Sequence, residues 1–437
     1  MRFLSVSLVL SGLTTLVYAA GFAELAAQLP ACGLQCVSES VPKSPCELTN
    51  STCLCVDPTF LGLTQACVAK SCSVKETLTM VRIQNVACGV PVKSQQTRFK
   101  IHAIAACVLA EICVILRIFS KVHIHGKLGA DDYFIIIAGC ATVPYLYLHC
   151  TLADLGFGLH IWDIQPFDNL YRLLQYFWLD EMMYSIHLYS TKLSILCFLW
   201  GIFPARSFRR MVLAMGIFTI MSFVATVLTT GLQCLPASYN WTSWDGEHTG
   251  RCNDLNIQTY AFGAINMVCD ILILLMPLPE LYKLQVKSRQ RIQLFVIFSL
   301  GTIVTVFSII RLPFLVNLGK TTNPTWDYVE VTIWSVWETE LGMVCASLPA
   351  IRHLFKHFFP NAMQTIAAKM TSALSSNRTG QEKSGNWSAS NSRKDRSINR
   401  DNKAYYELDE RSLIGKGAGG TSFASATAVK ASASNCS

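Results

Sequence analysis

Ionisable side chains recur at helical spacing inside one of the most apolar stretches of this sequence. Between residues 176 and 200 the chain reads YFWLDEMMYSIHLYSTKLSILCFLW. Four of its polar residues follow i, i+4, i+7 and i+11 and two more occupy the adjacent stripe, in the order Asp180, Tyr184, His187, Thr191 and then Glu181, Lys192. One face of a helix here would therefore be polar and ionisable. Such a face can pair ions, relay a structural change or bind a polar ligand.

Two other apolar stretches offer partners for this face. Asn266 and Asp270 lie in one of them, and Glu338 and Glu340 lie in the other. Lys192 can pair with Asp270 or with Glu338, and the sequence does not choose between them. We define a predicted polar core by six residues: Asp180, Glu181, His187, Lys192, Asp270 and Glu338. Because ionisable groups are costly in lipid, they should face inward and mark function, although a fixed hydrogen-bond network is the alternative.

A second candidate for chemistry is the stretch STCLCVDPTF, residues 51–60. Cys53 and Cys55 point to opposite sides if this stretch is extended, so they can form bridges in different directions. Asp57 followed by Pro58 is typical of a helix N-cap and first turn. The same carboxylate could also belong to a ligand site, so both roles stay open.

The cysteines that surround Asp57 predict a disulfide framework. Of the 18 cysteines in the chain, eight fall between Cys32 and Cys88. That segment contains no CxxC pair and no histidine, which argues against zinc. Residues 1–19 are typical of a signal peptide, with a signal anchor as the alternative, and they direct the segment to an oxidising compartment.

Seven apolar runs follow a polar linker at 93–100, in a chain of which 51% is hydrophobic and only 15% charged. The runs lie at about 101–119, 133–152, 173–201, 211–230, 257–279, 292–315 and 328–350. Each is close to the ~20 residues that a helix needs to cross a bilayer. The predicted fold is therefore membrane all-α, with a seven-transmembrane helix bundle at 101–355 after a small extracellular disulfide-rich helical domain at 20–92.

Lysine and arginine in the short loops predict how the chain crosses the membrane. They concentrate in the first, third and fifth connections, for example at Lys121, Arg209 and Lys287. Because basic residues are retained on the cytoplasmic side, the N-terminus is expected outside and the C-terminus inside. The sequons at Asn50 and Asn240 then face the glycosylating side.

The second external loop contains two cysteines, Cys234 and Cys252. They are expected to pair with each other, with Cys150 as the alternative partner. From 356 to 437 the chain is rich in Ser, Asn, Gly and basic residues, which predicts a disordered cytoplasmic tail. The net charge of +8 suits the inner membrane surface and cytosolic partners, so nucleic-acid binding is not needed to explain it.

Other functional classes find no support in the motifs. There is no HExxH, P-loop or GxSxG sequence, so an enzyme is not expected. The seventh run contains no lysine, so a retinal Schiff base in the usual place is not supported.

The cysteine segment, with PACGLQC, TCLCVDP and CVAKSC, resembles a CFEM domain, the extracellular cysteine module of fungal surface proteins. The membrane part resembles the fungal rhodopsin-like superfamily of PTH-type receptors through LGADDYF, STKLSILCFLW, CDILILLMPLPELYKL, FSLGTIVTVFSIIRL and ETELGMVCASLPAIRHLF. The resemblance implies four disulfides: Cys32 with Cys72, Cys36 with Cys67, Cys46 with Cys53, and Cys55 with Cys88. In haem-binding CFEM members the aspartate of the CxCxD stretch ligates the iron, which implies a haem role for Asp57.

The expected function is that of a plasma-membrane receptor that senses an unidentified extracellular or host-surface ligand through its CFEM domain and contributes to pathogenicity. Haem or iron capture is one alternative, and a virulence or adhesion surface is another. The chain lacks a DRY-like motif after the third run and an NPxxY-like end to the seventh. These departures leave G-protein coupling by the animal mechanism unsupported.

Overall fold

A computed structural model describes residues 28–48, 50–283, 301–315 and 321–358. All of them belong to one compact unit of the chain, Met1–Met363. The predicted signal peptide and residues 359–437 of the predicted tail lie outside the described residues, so both stay predictions. The first three residues of the predicted tail, 356–358, are helical instead and end the last helix.

The N-terminal segment folds into four helices, which we call the cysteine domain. They are α1 Ala31–Ser40, α2 Ser51–Val56, α3 Pro58–Ser71 and α4 Val74–Ala87. Asn50, Asp57 and Ser73 cap α2, α3 and α4 through their side chains, each accepting a backbone N–H of the first turn. Polar caps therefore set where these short helices begin.

Four disulfides hold the cysteine domain together. They join Cys32 to Cys72, Cys36 to Cys67, Cys46 to Cys53, and Cys55 to Cys88, which are the pairs that the CFEM resemblance implies. The apolar core beneath them is small and centres on residues such as Val68, Met80 and Phe60. A domain of this size buries too little apolar surface to be stable without covalent links.

In the described residues, six long helices and part of a seventh follow at the positions of the predicted apolar runs, and they confirm the all-α membrane fold. Together with a short helix they are α5 Gln96–Ser120, α6 Ala130–Leu155, α7 Phe167–Ile202, α8 Arg206–Gly231, α9 Leu255–Leu275, α10 Leu278–Lys283, α11 (described over Gly301–Leu315) and α12 Pro324–Phe358. A turn of π-helix, Lys121–His125, extends α5. Part of the sixth run, 292–300, lies outside the described residues.

Length and composition single out four segments of the described chain as apolar enough to cross a bilayer. They are Gln96–Ile124, Ala130–Leu155, Arg206–Gly231 and Ile257–Glu280. Helices α7 and α12 are longer, with 36 and 35 residues, but they carry most of the predicted polar core. Their mean hydropathy is lowered by the side chains that they bury.

The helices pack as a closed bundle. Consecutive helices α5 to α9 lie side by side, and α12 packs on α5, α6 and α7. Gly263 of α9 lies against Leu315 of α11, where a Cβ atom would come within 3.2 Å of that leucine. Helix α7 contacts α6, α8 and α12, so its polar face is directed at the bundle interior.

A two-stranded hairpin, β1 Cys234–Leu235 and β2 Arg251–Cys252, forms the loop between α8 and α9. The Cys234–Cys252 disulfide closes it, and Cys150 is a free thiol. Between the strands a 3-10 turn, Ser243–Asp245, reaches the cysteine domain. We call residues 239–250 the loop roof.

The loop between α6 and α7 depends on a glycine. Gly158 has a φ of 100°, and its backbone carbonyl and N–H bond to Gln95 and Thr325, respectively. A Cβ atom there would lie 2.8 Å from the backbone nitrogen of Gln96. Only glycine therefore allows this loop to join the starts of α5 and α12.

Candidate functional site

The polar face of α7 is buried within the bundle. Asp180, His187 and Lys192 are 5%, 0% and 3% exposed, and Glu181 is half-buried. The partners of these side chains lie on several different helices. One face of α7 thus connects most of the bundle, as expected for ionisable groups at membrane depth.

Lys192 pairs with Asp270 rather than with Glu338. Its ammonium group forms an ion pair with the Asp270 carboxylate on α9 and lies 3.4 Å from the backbone carbonyl of Asn266. Ser308 on α11 lies 3.2 Å from the second oxygen of Asp270. This contact settles the choice that the sequence left open.

Glu338 has a different cation, Arg311 of α11. The two form an ion pair at 2.8 Å, and Arg311 also donates a hydrogen bond to the Tyr184 hydroxyl on α7. Glu338 Oε1 lies 2.7 Å from Asn266 Nδ2 and 2.6 Å from Ser308 Oγ. Ser308 and Asn266 therefore connect the two ion pairs.

We call these four charges the polar quartet: Lys192, Asp270, Arg311 and Glu338. Two cations face two carboxylates, so the quartet is neutral when all four are ionised. It joins α7, α9, α11 and α12. These contacts are compatible with both interpretations of the predicted polar core, a ligand-coupled site and a fixed hydrogen-bond network.

Two other predicted core residues, Asp180 and His187, have partners on α6 and α12. His149 Nδ1 is 3.2 Å from an oxygen of Asp180. His187 Nε2 is 3.1 Å from Thr142 Oγ1 and 3.5 Å from an oxygen of Glu340. His187 therefore belongs to a second polar group that is separate from the quartet.

Two cavities meet the polar quartet from opposite sides. The larger one, about 420 Å³, lies under the loop roof and is lined by Tyr184, Asn266 and Arg311 among others. The smaller one, about 100 Å³, lies toward Pro277 and is lined by Lys192, Asp270 and Glu338. The quartet thus forms a polar partition between the two cavities.

A third polar cluster, which we call the arginine junction, ties α5 to α6 and α12. Arg117 is 1% exposed, and its guanidinium group contacts Asp132 at 2.9 Å and Asp131 at 2.5 Å. It also donates to the backbone carbonyl of Ala346. Lys121 lies 3.2 Å from Asp132 and is partly exposed. The buried guanidinium thereby satisfies acceptors from two other helices.

Asp57 lies in the cysteine domain and not in the bundle. Its Oδ2 accepts the backbone N–H of Phe60 at 2.8 Å, so the predicted N-cap role is present. The carboxylate is partly exposed, and Val56 beside it is 74% exposed. The structure therefore leaves the second carboxylate oxygen, next to an exposed apolar side chain, for a further contact.

The cysteine domain is docked on the bundle through α4. Lys75 lies 2.8 Å from Glu247 and 3.8 Å from Asp245, both in the loop roof. Tyr171 at the start of α7 donates to the same Asp245. Leu78 packs on the apolar cluster that contains Phe157 and Ile161. We call Lys75, Asp245 and Tyr171 the docking triad.

Electrostatics keep Lys75 and Asp245 of the docking triad charged. Burial alone would raise the pKa of Asp245, but hydrogen bonds from Tyr171, the Glu247 backbone and His248 lower it to about 2. Hydrogen bonding to Glu247 and then Tyr171 raises the pKa of Lys75 above its usual range. The Lys75–Asp245 attraction is therefore expected to persist around neutral pH.

Comparison with protein families accounts for both parts of the chain. A family model described as the fungal rhodopsin domain matches residues 116–357, which is more than half of the chain. The chain belongs to the fungal rhodopsin domain family. A second model, the CFEM domain, matches residues 25–89, so the cysteine domain is a CFEM domain.

Curated relatives of the fungal rhodopsin domain cover the membrane part. A SAT4 family membrane protein of Emericella nidulans is 30% identical over 233 residues, 51% of this chain and 56% of the relative. The Receptor GIN3 of Arthrobotrys oligospora is 22% identical over 266 residues, 61% of this chain and 64% of the relative. The matched region thus spans less than two thirds of either relative. No solved structure matches the chain.

The CFEM domain has relatives of its own. The GPI-anchored hemophore RBT5 of Candida albicans is 39% identical over 70 residues, 16% of this chain and 29% of the relative. The match is about as long as the CFEM domain. The chain therefore combines a CFEM domain with a membrane bundle of the fungal rhodopsin domain family.

Several residues of the site were not predicted from the sequence. Arg311 stands in the FSIIRL motif, where a basic residue inside an apolar run is itself a signal. His149 sits near the end of its run, and Arg117 precedes a basic loop, so both resemble boundary residues in the sequence. Lys75 and Asp245 belong to segments about 170 residues apart, and no periodicity links them.

Proposed function

We propose that this protein is a plasma-membrane receptor whose extracellular CFEM domain senses a surface or host cue and passes the response to the helix bundle. The observation that carries the proposal is the docking triad, which joins the CFEM domain to the first turn of α7 through one buried aspartate. Movement of α4 on cue binding would pull on the loop roof and on α7. Contribution to pathogenicity is part of the same proposal.

The distribution of basic residues supports the extracellular placement of the CFEM domain. The connections on the side of the bundle opposite this domain carry the basic residues, for example Lys121 and Arg209. Retention of lysine and arginine in the cytoplasm then puts the CFEM domain outside. Disulfides in the CFEM domain and in the hairpin between α8 and α9 suit that oxidising side. Glycosylation of Asn50 and Asn240 stays a prediction.

The name of one relative also supports the receptor proposal. Receptor GIN3 is named as a receptor and matches the membrane part. Helix α7 carries Tyr171 near one end and Lys192 of the polar quartet further along. It therefore provides a continuous physical route between the docking triad and the quartet. A two-state rearrangement of these contacts is what a receptor of this kind needs.

Replacing Lys75 with methionine tests this route. We expect a deletion strain complemented with Lys75→Met to give at most about one fifth of the wild-type transcriptional response to a hydrophobic surface, because coupling energies of 1–3 kcal/mol correspond to roughly 5- to 150-fold. The response is measured by RNA sequencing of cells on that surface and in liquid. The amount of receptor at the cell surface should not change.

Lys70→Met is the matched control, since Lys70 is exposed on α3 and forms no ion pair among the described residues. It should respond as wild type. A deletion strain with an undiminished response would contradict the receptor proposal itself. A full response of Lys75→Met would contradict the docking triad as its route.

Haem capture is the second candidate function, and the similarity to the Candida albicans hemophore RBT5 favours it. A ferric haem would bring a hard metal centre, and oxygen ligands suit such a centre. Asp57 is the residue that would hold it, through the carboxylate oxygen that does not cap α3. The exposed Val56 beside it fits an apolar ring.

Asp57→Asn separates the cap from the ligand role. Asparagine caps helices about as well as aspartate, so we expect the stability of the detergent-solubilised protein to change by less than about 0.5 kcal/mol. Affinity for ferric haem, measured by Soret absorbance on titration, should fall at least about tenfold because the anionic ligand is lost. Glu47→Gln, an exposed acid of the same domain, should leave both quantities unchanged. No Soret change with the wild-type protein would contradict haem capture.

A further inference from the structure

The larger cavity is lined by two carboxylates that no lysine or arginine balances. Asp180 and Glu181 both face it from α7. Within the described part of the chain, neither forms an ion pair with a lysine or arginine. The guanidinium of Arg311, which also lines the cavity, is already paired with Glu338. With His149 neutral, the walls of the cavity therefore carry an excess of negative charge.

The polar neighbours of the two carboxylates offset this charge only weakly. Glu181 forms a hydrogen bond with the side chain of Gln233. Asp180 lies 3.2 Å from His149 Nδ1, but that ring nitrogen is also 2.9 Å from the backbone carbonyl of Tyr145. One proton on this nitrogen must serve both acceptors. A positive charge from a ligand would be drawn to this end of the cavity.

Unpartnered oxygen atoms point to the same kind of ligand. Asn266 is 3% exposed and lines the cavity, and its Oδ1 has no hydrogen-bond partner among the described residues. Gln258 Oε1 is in the same condition and lines the same cavity. Buried acceptors without donors are costly, so a ligand that brings N–H groups would gain from them.

The remaining walls suit an apolar, aromatic body. Phe177, Trp178 and Tyr328 line the cavity, and their rings attract cations as well as apolar surface. Among the described residues, Trp244 Nε1 and Arg311 Nε have no acceptor, so a neutral acceptor on the ligand would be accommodated. A volume of about 420 Å³ lies within the range of cavities that bind small molecules.

We infer that this cavity is a binding site for a small aromatic or aliphatic amine that carries a neutral hydrogen-bond acceptor. The ammonium group lies between Asp180 and Glu181, and the apolar body lies along Phe177 and Tyr328. The bound molecule also contacts Asn266 and Arg311, so it touches the polar quartet from the side of the CFEM domain. This site goes beyond the proposed sensing by the CFEM domain and does not depend on it.

Three probes of the same shape test the inference on the full-length protein in detergent: 3-phenoxypropylamine, 3-phenoxypropan-1-ol and 3-phenoxypropanoate. Binding of each is measured by equilibrium dialysis. We expect the amine to bind at least about tenfold more tightly than the alcohol and the carboxylate, which corresponds to one favourable charge contact. Equal retention of all three, tighter binding of the carboxylate or no retention of the amine would overturn the inference.

Variants locate the site. Glu181→Gln and Asp180→Asn should each weaken amine binding at least about tenfold, while binding of the alcohol reports that the cavity is still folded. Glu111→Gln is the control, because Glu111 is an acid of α5 that does not line this cavity. Amine binding that survives in both α7 variants would overturn the assignment. The assay has no signalling readout, so its outcome is independent of the Lys75 experiment.

Discussion

Lys192→Met is expected to lower the free energy of unfolding of the detergent-solubilised protein by about 3–5 kcal/mol. The substitution leaves the Asp270 carboxylate buried with only Ser308 as a neighbouring donor among the described contacts. Removing one partner of a buried pair leaves a charge without compensation, which costs more than the pair itself contributes. Unfolding in increasing concentrations of denaturing detergent, followed by circular dichroism, measures the change.

The paired substitution distinguishes charge from packing. Lys192→Met combined with Asp270→Leu removes both charges, and we expect it to recover most of the lost stability because no buried ion remains alone. A double variant as unstable as the sum of the two single variants would contradict this explanation. Glu111→Gln removes a carboxylate of the bundle that has no cation partner in the described structure and should change stability by less than about 0.5 kcal/mol.

Arg117→Met is also expected to lower the free energy of unfolding by about 3–5 kcal/mol. Arg117 offers several donors in a fixed planar arrangement to Asp131, Asp132 and the Ala346 carbonyl. Methionine fills a similar volume, so the loss of stability reflects the missing hydrogen-bond donors and the missing charge. The yield of monodisperse protein and the midpoint of thermal unfolding measure it.

Two further variants at the arginine junction sharpen this prediction. Arg117→Lys should recover only part of the stability, since one ammonium group cannot span three acceptors. Lys121→Met should cost at most about 1 kcal/mol, because Lys121 is 24% exposed at its side chain and the ion pair is screened by solvent. A large loss of stability for Lys121→Met with a small loss for Arg117→Met would contradict the assignment of Arg117 as the residue that mainly holds α5 to α6 and α12.

Much of the fold was predictable because the bilayer imposes strong rules on sequence. Each apolar run is helical where the structure describes it, since a chain in lipid must satisfy its backbone groups within each segment. The polar stripe of α7 was predictable as well, because ionisable residues such as Lys192 cannot face hydrocarbon. The helix cap at Asp57 followed from the aspartate–proline pair, a purely local signal.

Partner choice could not be predicted from periodicity. Lys192 had two carboxylates within plausible reach, and the packing of α9 beside α7 selected Asp270. Glu338 then required another cation, Arg311, which comes from a helix far along the chain. Helical spacing gives the face on which a residue lies but not the helix that the face meets.

The sequence by itself determined the two-part organisation, the seven helices and the inward direction of the ionisable residues, because burial and backbone hydrogen bonding act locally along each segment. Only the tertiary structure decided the docking triad, the partition of the bundle by the polar quartet and the charge of the larger cavity. These features join Lys75 to Asp245 and Asp270 to Lys192 across long separations in the chain. Such contacts arise from the mutual packing of helices, which no local pattern encodes.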